Sequence, residues 1–394
     1  MYKSAYIPDV ADILTEHIGE YISQYGELTD KQKRVVKHIT KCRTADMGGH
    51  EYVCDTCGDY VLHFNSCRDR HCPKCQGTAR AAWVQKRMDE LLPVGHFHVV
   101  FTIPYELNPV VLRNKKPLYN ILFKASSETL VQLAKDPKWL GAQIGVTAVL
   151  HTWGQNMMDH PHIHCIVPGG GIRLDGKKWV SFKEKFLFPV AVLSELFRGK
   201  FMYYFKEAIK NNKITFTGEC QYLQDGTALK QLDNLLWKKE WVVFSKEPFG
   251  KSEHLVKYLG RYTHRIAISN SRIVKHEEKS VTFKWKDYAD GNKIKEMELS
   301  PVEFIRRFFL HTLPDYLTRI RYFGFLSNSQ KGKLLEECFR LLEKKYNKNT
   351  AALRSVVEVL KETAGIDITA CAHCINGHYM MVGEYHKYHV LYFD

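Results

Sequence analysis

The stretch "DHPHIHCIVPGGG", Asp159 to Gly171, decides how the rest of the chain is read. A β-strand turns successive side chains to opposite faces, so His162 and His164 share one face while Ile163 points the other way, into a core. Two imidazoles on one face make half of a metal site. An isolated H-x-H is more often an exposed strand with two uninvolved histidines, so its meaning rests on what else the chain carries.

The chain has 394 residues, more than one typical core holds, which predicts two or three domains. Lys and Arg number 57 against 43 Asp and Glu, a formal net charge of +14, and the pI is near 9.1. An excess of this size favours a polyanionic partner, nucleic acid before a membrane surface. No run approaches the ~18 apolar residues of a spanning helix, and the first residues, "MYKSAYIPDVADILTEHIGEYI", carry acidic groups and no apolar signal core. The expectation is a soluble, intracellular protein with DNA and no membrane as partner.

Hydrophobic periodicity places the elements. Val10, Ile13, Leu14 and Ile18 fall on one helical face, and "TDKQKRVVKHI" begins a second helix capped at Thr29 or Asp30. "TARAAWVQKRMDELLP" predicts a helix stopped by Pro93. Strands are expected at Phe97 to Ile103, Gln143 to His151, His162 to Val167, Glu240 to Ser245 and Ser280 to Lys286, all rich in β-branched and aromatic residues. Asp175-Gly176 marks a hairpin. Amphipathic helices "KPLYNILFKASSETLVQLAKD" and "VAVLSELFRGKFMYYFKEAIK" lie between the strands, and the tail, with "KGKLLEECFRLLEKKYN" and "TAALRSVVEVLKETA", is expected to be helical. The fold class is α+β around one sheet.

Eleven cysteines are present, and most fall in pairs with two-residue gaps. Reduced thiols at such spacing point to zinc before disulfides. Cys54 with Cys57 and Cys72 with Cys75 form two C-x-x-C knuckles, enough to close one tetrahedral structural site. Cys42, His50, Cys67 and His71 lie in the same segment as candidates for a second ion, with Arg68 and Arg70 suggesting a turn that faces DNA. Cys371 and Cys374 offer a further half-site near the end of the chain. So polar and turn-rich a segment lacks the apolar residues for a core of its own, so zinc would support its folding.

A second group completes the argument. In "HLVKYLGRYTHRIAIS", Tyr258 and Tyr262 stand four apart, which on a helix puts both hydroxyls on one face, with Arg261 and Arg265 beside them. A tyrosine that attacks a phosphodiester becomes a phosphotyrosine and conserves the bond energy for rejoining. A divalent ion on His162 and His164 would polarise the scissile phosphate. Packing tyrosines on a surface helix are the plainer reading, but together with the histidine strand and the positive charge they describe a DNA strand transferase.

These residues resemble the HUH-type, paired-tyrosine transposases of the insertion-sequence-91 group. The resemblance runs through "CRTADMGGHEYVC", "NSCRDRHCPKCQ", "FHVVFTIPYEL", "HTWGQNMMDHPHIHCIVPGGG", "WVVFSKEPFG", "YLGRYTHRIAISNSRI", "VTFKWKDY" and "EFIRRFFLHTLPDYLTRIRYFGFL". It implies a bacterial mobile-element protein that nicks single-stranded DNA, keeps the 5′ phosphate on tyrosine and frees a 3′ hydroxyl. His162-Ile163-His164 matches the histidine-hydrophobe-histidine motif, and Tyr258 and Tyr262 match the two nucleophiles. Such nucleases usually add a third metal ligand, for which His151 and Gln155 are candidates, His160 lying close by; His98 is a phosphate contact or a plain core histidine. An open site of this kind suits Mg or Mn with water in the remaining positions.

The expected organisation is an N-terminal helical and zinc-binding region over residues 1–92, an HUH nuclease with a central antiparallel-rich sheet flanked by helices over 93–330, and a helical C-terminal segment over 331–394. Arg306, Arg307, Arg319, Arg321 and Tyr322 mix charge and aromatic rings as single-strand-binding surfaces do. A rolling-circle replication initiator uses the same chemistry, and a non-catalytic zinc-dependent DNA-binding protein is the alternative from another class.

Overall fold

The computed structural model describes residues 8–182, 187–246, 260, 267–288, 290–346, 358, 361, 367–386 and 389–392. Helix α1 (Val10–Tyr25) starts at Asp9, whose carboxylate accepts from the Ala11 and Asp12 N–H groups while Asp12 accepts from the Asp9 N–H. Helix α2 (Asp30–Lys41) begins at Thr29 with the same reciprocal cap, closed by Gln32. Each box satisfies N–H groups that the first turn leaves without helical partners. Val10, Ile13 and Leu14 are buried on α1, as their spacing predicts, Ile18 is half-buried against the same core, and Tyr21 joins the buried face.

The zinc-type segment forms a hairpin, β1 (Gly49–Cys54) with β2 (Tyr60–Phe64), and then α3 (Gln76–Asp89), which ends before Pro93. Strand β3 (His96–Thr102) enters the central sheet, followed by the short α4 (Asn108–Arg113) and the long α5 (Lys115–Lys135). A two-residue strand β4 (Ala142–Gln143) leads to β5 (Gly145–Trp153) and β6 (Asp159–Pro168). The expected hairpin at Asp175-Gly176 joins β7 (Gly170–Arg173) to β8 (Trp179–Ser181). Helices α6 (Val190–Lys210) and α7 (Gly226–Lys238) precede β9 (Val243–Lys246).

An antiparallel meander follows, β10 (Ile273–Glu277), β11 (Ser280–Asp287) and β12 (Lys293–Leu299), then α8 (Pro301–Leu310), β13 (Ile320–Gly324) and α9 (Lys331–Leu341). The central sheet has five strands in the order β13-β5-β6-β3-β9, with every neighbouring pair antiparallel. Phe97, Val99 and Phe101 of β3, Ala148 and Leu150 of β5, and Ile163, Cys165 and Val167 of β6 are buried in the main core, which also takes in apolar side chains of α5 and α6. The opposite face of the sheet carries the histidines.

The end of the chain departs from the helical expectation. Tyr379–His386 and His389–Tyr392 are strands, β14 and β15, and they extend the β1–β2 hairpin into a four-stranded sheet of order β15-β14-β1-β2. The run "YMMVGEYH" is short, β-prone and adjacent to a C-x-x-C, and the open edge of β1 supplies its hydrogen-bond partners. The helix expected from "TAALRSVVEVLKETA" falls almost entirely outside the described residues.

Ile163 tests the division of the sheet into two faces. Ile163→Ala is expected to cost about 2–5 kcal/mol, as truncations of buried aliphatic side chains do, and His162→Ala far less. Chemical denaturation of the two variants checks the difference.

Candidate functional site

Strand β6 carries the site. Residues directly opposite in an antiparallel pair share a face. Thr102 and Val100 of β3 stand opposite His162 and His164, and His151 and Val149 of β5 stand opposite the same two histidines on the other side. Ile163 is fully buried on the far face. His151, His162, His164 and His98 therefore converge above one surface, and ligand-capable nitrogens of the first three lie within 4.8 Å of one another.

The ring orientations are held from behind. Nδ1 of His162 is 2.6 Å from the His160 carbonyl, which can only accept, so Nδ1 carries the proton and Nε2 the lone pair. Nδ1 of His164 is engaged by Nε2 of His98 at 2.8 Å, leaving His164 Nε2 3.0 Å from His162 Nε2. Burial lowers the pKa of His98 to about 4 and of His162 to about 3, and holds His164 well below the ordinary range. His98, His162 and His164 are thus neutral at pH 7, the protonation state in which imidazole binds a metal. His98 fixes the orientation of the His164 ring.

In front of the histidines is an open cavity of about 490 Å³, lined also by Thr102, Gln155, Asp159, His160 and Tyr288. Gln155 lines this cavity beside the imidazoles, and its amide donates to the Tyr288 hydroxyl at 3.3 Å. The rim loop 154–158 is tied down from three directions: Arg272 donates to the Gln155 carbonyl, Arg307 to the Asn156 carbonyl at 2.9 Å, and His311 to the Met157 carbonyl at 2.9 Å. Asp159 escaped the sequence reading. Its carboxyl is buried with neither oxygen hydrogen-bonded among the described residues, and burial raises its pKa to about 7 against the opposing pull of Lys115. The available signal was a lone carboxylate at the start of the strand that carries the histidines.

Tyr258, Tyr262, Arg261 and Arg265 lie outside the described residues. Gly260 is described, and it is helical and buried. A Cβ there would stand 2.2 Å from Cγ2 of Val84, so only glycine permits this approach to α3. Helix α3 in turn docks on Tyr322 of β13, through the Trp83 indole N–H at 3.3 Å and the Arg87 guanidinium 4.8 Å above the ring. Tyr322 stands opposite Thr147, Thr147 opposite Ile166, and Ile166 opposite His98, so α3 lies over the histidine face.

Four of the described arginines expected near DNA make contacts within the protein. Arg306 and Arg307 both bind the Glu303 carboxylate, at 2.6–2.9 Å and 2.7 Å. Arg70 donates to the Leu317 and Pro314 carbonyls. Arg321 stacks on Phe123 and donates to Asn120. Of these, Arg307 also holds the cavity rim at Asn156, while Arg70 and Arg321 brace parts of the fold away from the cavity.

The cysteines group differently from their order in the sequence. Cys72 and Cys75 lie with Cys42 and Cys67, whereas Cys54 and Cys57 lie with Cys371 and Cys374. Neighbouring sulfurs are 3.3 Å apart between Cys42 and Cys75 and 3.6 Å between Cys54 and Cys374. The quartet of Cys54, Cys57, Cys72 and Cys75 does not assemble, because β1 and β2 carry the first knuckle away from the second. His71 is no ligand: Asp69 takes its Nδ1 at 2.7 Å and the Leu313 N–H donates to its Nε2. His50 lies on β1 opposite His63, also apart from both sulfur groups. Each four-thiol set fits the closed tetrahedral shell of structural zinc. Backbone N–H groups of Thr56 and His373 point at Sγ of Cys54 and Cys371, and a Cβ on Gly377 would strike two of the sulfurs.

With this geometry in view, the similarities to known proteins become specific. Residues 13–103 match the family "Transposase zinc-binding domain" and residues 145–333 match "Putative transposase". The chain belongs to the insertion-sequence-91 family of transposases and carries that family's N-terminal zinc-binding domain. It is 45% identical over 372 residues, 94% of each chain, to "Putative transposase y4qJ" of Sinorhizobium fredii. It is 26% identical over 330 residues, 82% of this chain and 77% of the other, to "Transposase for insertion sequence element IS801" of Pseudomonas savastanoi pv. phaseolicola. Among the described residues no helix is long and apolar enough to cross a membrane.

The regrouped cysteines predict how zinc is lost. Cys54→Ser and Cys371→Ser should each release the same single ion, their combination should release no more, and Cys72→Ser should release the other. Zinc analysis of the purified variants reads this directly; loss of one common ion in Cys54→Ser and Cys72→Ser would restore the grouping by sequence order.

Proposed function

We propose that this transposase cleaves and rejoins single-stranded DNA by tyrosine transesterification at the histidine cavity, with Tyr258 and Tyr262 as nucleophiles. The observation that carries the reading is the convergence of His151, His162 and His164 on one open cavity in a chain of this family. Gly260, between the two tyrosines in sequence, packs on a helix that lies over that same face.

In the cleavage step the tyrosine oxygen bonds to phosphorus and the bond from phosphorus to the 3′ oxygen breaks. The phenolic proton passes to solvent, and the departing 3′ oxygen gains one to become a hydroxyl. Rejoining is the reverse displacement by a 3′ hydroxyl, so no energy-rich cofactor is consumed. His151, His162 and His164 would hold a divalent ion, Mg or Mn, which when bound supplies positive charge beside the phosphate. His98 and the His160 carbonyl keep the ligating nitrogens turned toward the cavity. The two four-thiol groups serve as structural zinc sites.

Incubation with single-stranded oligonucleotides from the element's ends and Mg or Mn tests the proposal. A covalent protein–DNA adduct mapping to Tyr258 or Tyr262 is expected, lost with chelator and in His164→Ala. His98→Ala should raise the metal concentration needed by about 10–100-fold, the range for outer-shell partners of ligating histidines. Adduct formation unaffected by replacing both tyrosines with Phe would refute the assignment.

A further inference from the structure

Away from the cavity, α1 and β10 bring two more histidines face to face. His17 Nε2 and His276 Nε2 are 3.2 Å apart, although 259 positions separate the residues in sequence. Both side chains are almost inaccessible, 5% and 3% exposed. The Glu16 carboxylate faces the same point, its Oε2 3.9 Å from His17 Nε2 and 3.7 Å from His276 Nε2. Behind the outer nitrogen of His17 stands a second carboxylate, Glu20 Oε1, 3.3 Å from Nδ1.

We propose that His17, His276 and Glu16 form a metal site of the zinc type, distinct from the cysteine groups and from the catalytic cavity. Donors around a tetrahedral ion at 2.0–2.2 Å are spaced by about 3.3–3.6 Å, and the two nitrogens already stand close to that separation. Glu16 is 56% exposed, so its carboxylate is free to approach more closely when an ion is bound. A single hydrogen bond between the rings would account for the 3.2 Å contact. It would not call for one carboxylate aimed at both inner nitrogens and another on the far nitrogen of His17. That second carboxylate is the usual outer partner of a ligating histidine, fixing the proton on Nδ1 and the lone pair on Nε2. Two imidazoles and one carboxylate select a borderline ion such as Zn²⁺ over Mg²⁺, with water in the open position.

The site would clasp two parts of the molecule. α1 is joined to the zinc-binding segment by the Asp9–Lys74 ion pair at 2.7 Å. β10 leads through β11 to Tyr288 at the cavity, and Arg272, just before β10, holds the Gln155 carbonyl. An ion between them fixes the N-terminal helix against the sheet that borders the catalytic cavity.

The test uses the full chain with His162→Ala and His164→Ala, so that the cavity cannot contribute. Zinc is titrated against a chromophoric chelator, and Co²⁺ substitution distinguishes four-thiol sites, with strong near-ultraviolet sulfur bands, from a nitrogen–oxygen site with weak visible bands only. Three ions per chain are expected, one without sulfur bands, falling to two with His276→Ala. Glu16→Gln, at an exposed position that folding does not depend on, should weaken the third ion about tenfold or more. Only sulfur-bound ions at saturating metal, or a third ion unaffected by His276→Ala, would overturn the site; unchanged affinity in Glu16→Gln would remove the carboxylate from it.

Discussion

The register of β6 between β3 and β5 is the constraint on which the molecule turns. With that pairing, Ile163, Cys165 and Val167 enter a core shared with Phe97, Val99, Phe101, Ala148 and Leu150, and the histidines have no choice but the other face. A slip of one residue would bury three imidazoles and expose the aliphatic row. The hydrophobic energy of the core, roughly 1.5–3 kcal/mol for each fully buried large aliphatic side chain, therefore also sets the positions of the metal-type ligands. The placement of the histidines is a by-product of packing on the opposite side of the sheet.

The same burial that holds the histidines neutral also leaves charged groups beneath the cavity. Asp159 and Lys115 are both largely shielded from water, and burial moves their pKa values toward each other, to about 7 and about 8. Lys115 offsets its desolvation by donating to the Leu310 and Thr312 carbonyls. These bonds also tie α5 to the turn after α8, and His311 in that turn holds the rim loop through the Met157 carbonyl. Lys115 and the rim loop are thus linked through the turn after α8.

Much of this was legible in the sequence because periodicity is local. The two-residue alternation of "HIHCIV" gave the site face, and the caps at Asp9 and Thr29 mark the helix starts. His151 was open as a ligand because its strand could fold back, and it does, as the antiparallel neighbour of β6. What spacing could not convey is partnership at long range. Two C-x-x-C motifs close in sequence read as one site, yet each is completed by cysteines elsewhere, Cys42 and Cys67 for one and Cys371 and Cys374 for the other. Arg306 and Arg307 looked like a surface patch because nothing local showed that Glu303 would neutralise both. Gln155 and His71 are likewise polar residues whose hydrogen-bond partners, Tyr288, Asp69 and the Leu313 N–H, were not deducible from spacing.

The sheet that joins β14 to β1 has a consequence for the order of assembly. A chain emerges from the ribosome N-terminus first, so Cys42, Cys67, Cys72 and Cys75 are all available early, and their cluster can close while the rest is still being made. Cys54 and Cys57 must wait for Cys371 and Cys374, and β1 keeps an unpaired edge until β14 arrives. The entropy of closing so long a loop grows only with the logarithm of its length, so the delay is one of timing rather than of stability. The zinc-binding region is therefore finished last, after the strands of the central sheet have all been synthesised, and its completion marks a chain translated through both halves of the split cysteine group.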